Sequence, residues 1–170
     1  MIELYTGDGK GKTTAATGLA LRAAGSGLRV VFSQFMKGND TGEIPILNTI
    51  PRVTVLRSQK RFGFYATLTE AEKEELHNIH DEILERILEL VEQGSCDVVI
   101  LDEITYPAAC KLISIEKLQR LLTFGQKVEL VLTGRDPADF MVECADYITE
   151  MNAVRHPYEK GVAARKGIEY

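Results

Sequence analysis

The sequence is poor in several things that would assign it to a large class. Cysteine is scarce: Cys96, Cys110 and Cys144 are three residues at wide spacings with no C-x-x-C pair. That pattern argues against a disulfide framework and a thiolate zinc site, and leaves buried free thiols in a reducing compartment as the expectation. No apolar run approaches the roughly 18 residues of a membrane span. The N-terminus enters a charged, Gly-rich segment at once, unlike a signal peptide, so the chain is expected to be cytoplasmic and to have no membrane partner. A basic excess is also lacking. The 20 Lys and Arg against 25 Asp and Glu give a net charge of -5, the wrong sign for a general binder of nucleic-acid backbone. Repeats, low-complexity tracts and linkers are absent, and 170 residues suit one domain, residues 1–170.

What is present is an alternation of short apolar runs and helical patterns, the signature of a parallel sheet covered by helices. Ile2 to Thr6 is the first predicted strand, followed by an alanine-rich helix from about Lys12 to Ala24 that stops at Gly25 or Gly27. Arg29 to Phe35, Val53 to Leu56, Val98 to Leu101, Glu129 to Thr133 and Tyr147 to Met151 are further predicted strands. Thr69 with Glu72 forms a capping-box pattern. Leu76, Ile79, Ile83, Ile87, Leu90 and Val91 then recur at helical spacing up to Gly94. Ser114 is placed to cap a helix running to about Phe124, and Asp136-Pro137 reads as a cap followed by proline at the first helical position. From Asn152 the tail is irregular.

Thr6-Gly7-Asp8-Gly9-Lys10-Gly11-Lys12-Thr13-Thr14 lies between the first strand and the first helix, the setting of a phosphate-binding P-loop. Glycines let the backbone turn tightly and aim N–H groups at phosphate oxygens, and the helix N-terminus adds partial positive charge. Lys12 supplies a full charge, and the Thr13 hydroxyl can join a Mg²⁺ shell. The usual pattern is G-x-x-x-x-G-K-[ST]; here its first position is Thr6, with Gly7 one place later. The second half of such a site is an acid ending an apolar strand. Asp102-Glu103 after Val98 to Leu101 fits, and a carboxylate there reaches the Mg²⁺ directly or through water. These parts bind a nucleoside triphosphate but do not say which bond breaks. A small-molecule kinase and a non-catalytic ATP-dependent switch share them.

Taken in order, these residues closely resemble one family, the P-loop type ATP:corrinoid adenosyltransferases of cobalamin biosynthesis. The resemblance covers nearly the whole chain. It rests on Thr6 to Thr14 with the shifted glycine, on Gln34-Phe35-Met36-Lys37-Gly38 and on Thr41-Gly42-Glu43. Phe62-Gly63-Phe64, Leu101 to Tyr106 and Leu132-Thr133-Gly134-Arg135 follow. The tail adds Arg155-His156-Pro157-Tyr158, Gly161 and Gly167-Ile168-Glu169-Tyr170. The resemblance implies an α/β, mostly parallel RecA-like P-loop sheet with helices on both faces. It implies that a Co(I) corrinoid attacks C5′ of ATP, so that the 5′-deoxyadenosyl group moves to cobalt and triphosphate leaves, with ATP reversed in the loop relative to kinases. Thr6 to Thr14 and Arg135 would bind ATP, and Thr13, Asp102 and Glu103 would hold Mg²⁺. Lys12, Thr13 and Glu103 would serve the transfer. Co(I) is itself a strong nucleophile, so orientation and charge neutralisation are what the protein must provide.

At the corrinoid end the resemblance assigns the aromatic pair Phe62 and Phe64 to displacing the lower axial ligand of cobalt. The basic run before them, Arg52, Arg57, Lys60 and Arg61, reads equally as a solvated face. A homodimer and a flavoprotein-like electron donor are implied too. His77 and His80, nearly one helical turn apart, are expected on a helix surface rather than as ligands, whereas the family match makes His156 a candidate site contact. The D-x-H-x-x-G pattern of cobalamin carrier modules is absent. Two departures from relatives bear on the corrinoid end. The first strand begins at Ile2, so the part played by an N-terminal arm in relatives is expected to be lost or to fall to another segment, and the chain has no Trp, which relatives often carry in the aromatic pair.

Overall fold

The apolar runs become strands because successive Val, Ile and Leu residues, as in Val98 to Leu101, can be buried only where both faces of a sheet are covered. The computed structural model describes residues 1–37, 41–63, 65–157 and 161–169. Its strands are β1 (Ile2–Thr6), β2 (Val30–Gln34), β3 (Val53–Arg57), β4 (Val98–Asp102), β5 (Glu129–Thr133) and β6 (Tyr147–Glu150). They form one six-stranded sheet of order β3-β2-β4-β5-β1-β6 in which every pairing is parallel. The helices are α1 (Lys12–Gly25), α2 (Glu43–Leu47), α3 (Glu70–Glu92), α4 (Thr105–Ala109), α5 (Ile115–Leu122) and α6 (Asp139–Cys144).

The period-2 alternation of the strands divides the core into two layers. Val30, Phe32, Val98, Ile100 and Val131 face α1 and α2, where Ala16, Ala20, Ala23, Ala24 and Leu47 meet them. The small alanines let α1 lie close against the sheet. Val31, Val99, Leu101, Leu130 and Leu132 face the other way, against Leu84, Ile87 and Leu88 of α3, Leu118 and Leu121 of α5 and Met141 of α6. The sheet is therefore covered on both faces, as the alternation of elements predicts. The capping box forms as expected: Thr69 accepts from the Glu72 amide, and the Glu72 carboxylate accepts from the Thr69 amide at 2.8 Å. Among the described residues no helix is long and apolar enough to cross a membrane.

Four expectations are corrected. β2 is shorter than Arg29 to Phe35, because Phe35 turns its N–H to the Asp102 carbonyl at 2.9 Å and Met36 adopts φ 59. β6 stops at Glu150, and Met151 turns toward the first loop. Asp136-Pro137 does not open a helix: Asp136 has φ 47, and α6 begins at Asp139 after Ala138, which has no side-chain cap bond. α2 and α4 have five residues each, too short for hydrophobic periodicity to reveal. The three thiols are free; Cys96 is buried, and burial pushes it up to about 11, while Cys110 and Cys144 are only half-buried.

Candidate nucleotide site

Gln34, Asp102 and Thr133 are the last residues of β2, β4 and β5, so the parallel sheet presents all three along one edge. The loop between β1 and α1 opens onto that same edge, where α/β sheets bind ligands.

Gly7 and Gly11 carry φ 96 and 129, values that an L side chain rarely adopts. Gly7 and Gly9 are also required by a close neighbour. A Cβ on Gly7 would lie 2.5 Å from the Met151 carbonyl oxygen, and one on Gly9 would lie 2.6 Å from it. The Gly9 N–H donates to that oxygen at 2.6 Å, and the Ala153 N–H donates to the Asp8 carboxylate at 3.1 Å. The Ala153 bond is the main cause holding the Asp8 carboxyl below its ordinary value. Residues 151–153 thus form a strap over the loop. Gly9 departs from expectation here: its N–H is directed to the strap rather than toward the phosphate position.

Lys12 is 7% exposed, not the open loop lysine that its sequence setting suggests. Its ammonium donates to the Gly7 and Gly9 carbonyls at 2.6 and 2.8 Å. Burial lowers its pKa, Arg135 lowers it further, and Glu103, Asp8 and Asp102 oppose the shift. Thr13 donates from Oγ1 to Asp102 Oδ1 at 2.8 Å. Lys10, Thr14 and Arg135 are exposed at the mouth, where Arg135 donates to the Asp8 carbonyl at 3.2 Å. Thr6 is half-buried, and its carbonyl accepts from Met151.

Asp102 is fully buried. Its Oδ1 accepts from Thr13 and from Thr133, each at 2.8 Å, and its Oδ2 accepts from Lys37 at 2.7 Å and from Gln34 at 3.3 Å. Between the two acids, the structure brings Asp102 rather than Glu103 onto Thr13. Glu103 turns away with φ 61, its N–H on Thr133 Oγ1 at 3.0 Å and its side chain half-buried.

Lys37 also donates to Thr13 Oγ1 at 3.0 Å. One ammonium therefore bridges the two oxygens expected to meet Mg²⁺, so this donor pair already accommodates a cation. Both oxygens are hard donors, and Mg²⁺ is usually held by one or two carboxylates, substrate phosphates and water. The residues fit it on those terms. Among the described residues no group of three or more His, Cys, Asp and Glu side chains could hold a metal alone, so phosphate and water would have to complete the shell.

Beside this centre a cleft of about 440 Å³ runs between the outer face of α1, the Lys37–Glu43 region and the tail, lined by Thr14, Thr17, Leu21, Glu43 and Ile168. A second hollow, about 400 Å³, has a basic rim of Lys10, Arg155, His156 and Arg165. Phe62 is half-buried against a small cluster of Leu68, Leu76 and Leu112, with the Lys60 ammonium 5.2 Å from its ring centroid. Phe64 lies outside the described residues, as do Gly38, Tyr158 and Tyr170. Arg57 is not part of a purely solvated run: it donates to the Lys37 carbonyl at 2.9 Å.

Sequence reasoning left out Lys37, Gln34 and Thr133 as site side chains. A signal was available for Gln34 and Thr133: β2 and β5, like β4, carry an apolar stretch and end on a polar residue. The helix-surface expectation for His80 is corrected: the residue is 1% exposed, turned inward from α3.

The family model for ATP:corrinoid adenosyltransferase BtuR/CobO/CobP matches residues 1–170. The chain is 34% identical over 172 residues to a corrinoid adenosyltransferase of Escherichia coli, covering all of this chain and 85% of that protein. It is 31% identical over 183 residues to a corrinoid adenosyltransferase of Sinorhizobium, covering all of this chain and 80% of that one. Among solved structures, a KaiC-like protein from Pyrococcus horikoshii aligns over 99% of this chain and 75% of its own, with 16% identity and a TM-score of 0.53. The likeness at that identity concerns the fold.

Proposed function

The chain belongs to the ATP:corrinoid adenosyltransferase family, and from that premise we propose that it moves the 5′-deoxyadenosyl group of ATP to the Co(I) of a corrinoid and releases intact triphosphate. The observation that carries this reading is the pair of ammonium groups at the sheet edge. Lys12 lies inside the phosphate loop, and Lys37 lies across Thr13 and Asp102. A triphosphate leaving group carries several negative charges, and preorganised cations that meet developing charge are an effective source of rate.

Each residue has a share in that task. Lys12 and the loop amides other than that of Gly9 face the phosphates. Thr13 and Asp102, with Glu103 beside them, would hold Mg²⁺, which when bound neutralises phosphate charge. Asp102 is already occupied by four donors and acts as an anchor for them, not as a base. No base is needed if the nucleophile is a metal-centred electron pair. Arg135 tethers the outer wall of the loop through Asp8. Phe62 and Phe64 are proposed to face the corrinoid. Homodimerisation and a flavoprotein-like electron donor rest on the family likeness alone, and a cytoplasmic location on the thiol pattern and the charged N-terminal segment.

Product analysis tests the reading. With ATP, Mg²⁺ and chemically reduced corrinoid, the expected products are adenosylcorrinoid and triphosphate in equal amounts. ADP paired with a phosphorylated acceptor would instead make the chain a kinase, and slow ADP plus phosphate with no corrinoid product would make it a switch.

A further inference from the structure

We infer that His80 is a positioning residue that holds the turn carrying Lys37 into the phosphate site; the inference rests on the function proposed above. Lys37 follows directly on the end of β2. Phe35 gives its N–H to Asp102, and the chain then turns at Met36 with φ 59. A left-handed conformation at a residue with a long side chain persists only where its surroundings hold it.

His80 provides the hold. Its Nε2 accepts the Met36 N–H at 3.3 Å, and its Nδ1 is 3.1 Å from the Leu112 carbonyl oxygen. A carbonyl can only accept, so the ring proton belongs on Nδ1 and the lone pair on Nε2 faces Met36. The ring packs edge-on against Phe35 at 5.3 Å between centroids. It is fixed to a long helix, α3, which Asp81 ties to the Ser114 amide at 2.6 Å. Burial, the main cause, pushes the imidazole down to about 4, so the lone pair stays available at neutral pH. Met36 itself rests on Leu68, Leu76 and Leu112, and Arg57 holds the Lys37 carbonyl from the other side. The outcome of this clamp is the placement of the Lys37 ammonium on Thr13 and Asp102. A histidine that only filled space could be replaced by leucine; what leucine cannot supply is the acceptor at Met36.

The test is a double-mutant cycle of Lys37→Ala with His80→Leu, read as Mg·ATP affinity by calorimetry with no corrinoid present. Each single variant is expected to weaken binding, on the order of tenfold. The double variant should bind no worse than Lys37→Ala alone, because His80 acts through Lys37. His80→Gln, whose amide oxygen can reach toward Met36, should recover most of the affinity. If His80→Leu does not melt cooperatively, His80→Asn takes its place in the cycle, since it keeps a donor for Leu112 but offers no acceptor to Met36. Multiplying effects in the cycle, or a His80 variant within twofold of wild type while Lys37→Ala is impaired, would overturn the inference. Failure of the wild type to make triphosphate would overturn the proposed function instead, and the affinity cycle would still decide the part played by His80.

Discussion

The carbonyl oxygen of Met151 accepts the N–H of Gly9 at 2.6 Å, so the residue that follows the last strand is bonded to the middle of the phosphate loop. Loop and strap share a backbone contact too close for any side chain, which gives Gly9 a structural reason to be glycine apart from the nucleotide. Gly9→Ala should therefore push the strap away, destabilising the fold by about 1–3 kcal/mol as overpacking does. Hydrogen exchange at residues 151–153 should rise in the variant. Unchanged protection of the strap would show that the contact is dispensable.

Lys12 has two duties that a single substitution confounds. Its ammonium bonds the Gly7 and Gly9 carbonyls and, on the proposed function, neutralises phosphate. Lys12→Met keeps most of the buried volume and removes the charge, and it should lower kcat by a factor of roughly 10²–10³. A melting temperature close to wild type would separate that loss from misfolding. Activity within threefold of wild type at saturating ATP would remove Lys12 from the site.

The two acids at the end of β4 should behave differently. Asp102→Asn disturbs four hydrogen bonds and leaves Lys37 without its buried counter-charge, so it should raise the Mg²⁺ concentration needed for half-maximal activity more than Glu103→Gln does. It should also lower stability by about 3 kcal/mol or somewhat less, since Lys37 is partly exposed. A larger Mg²⁺ effect from Glu103→Gln would reverse the assignment.

Phe62 tests the corrinoid end. It lies on a small cluster beside Met36 rather than in the main core. Phe62→Ala should slow adenosylation when Co(II) corrinoid and a weak reductant are supplied, and should do much better when cobalt is reduced to Co(I) beforehand. ATP affinity should barely change. Equal loss in both assays, together with a destabilisation of about 3–5 kcal/mol, would make it an ordinary packing residue.

Acid should destabilise the protein through His80. In the unfolded chain the imidazole takes its proton near the ordinary value of 6.5, whereas in the folded protein burial holds it near 4. Between those values the unfolded state binds more protons, so stability falls as pH drops from about 6.5 to about 4 and is unaffected by this group above that range. The full effect is on the order of 3 kcal/mol. The nearby charges, His77 lowering and Asp81 raising the pKa, are the smaller influences. Asp97, held at about 2 by Arg29, loses its contribution in a lower window, below about pH 4. Melting curves from pH 7 to pH 4.5 should show the slope in wild type and a flatter one in His80→Gln.

Much of this molecule is legible in the order of its residues. Strands β4 and β5 follow from the apolar runs Val98 to Leu101 and Leu130 to Leu132, which only a doubly covered sheet can bury, and β1 and β3 from shorter apolar segments broken by Glu3 and Thr54. The capping box of α3 follows from Thr69 and Glu72, a local device that needs nothing distant. The phosphate loop follows from glycines and Lys12-Thr13 between a strand and a helix. Short helices such as α4, and the φ values of Met36, Glu103 and Asp136, were not legible, because they answer to contacts from distant segments and not to local pattern.

The same division holds at the site. By itself the sequence determined the phosphate-loop pattern on which the proposed nucleotide binding rests, because those residues act through backbone conformation and charge within nine consecutive positions. Only the tertiary structure decided which acid meets Thr13, that Lys37 joins them, that Met151 takes the Gly9 amide and that His80 is buried under the Met36 turn. Thr13 and Asp102 are 89 residues apart, and His80 and Met36 are 44 apart. Contacts at such separations depend on strand order and on the curvature of the sheet edge, which no local pattern of side chains encodes.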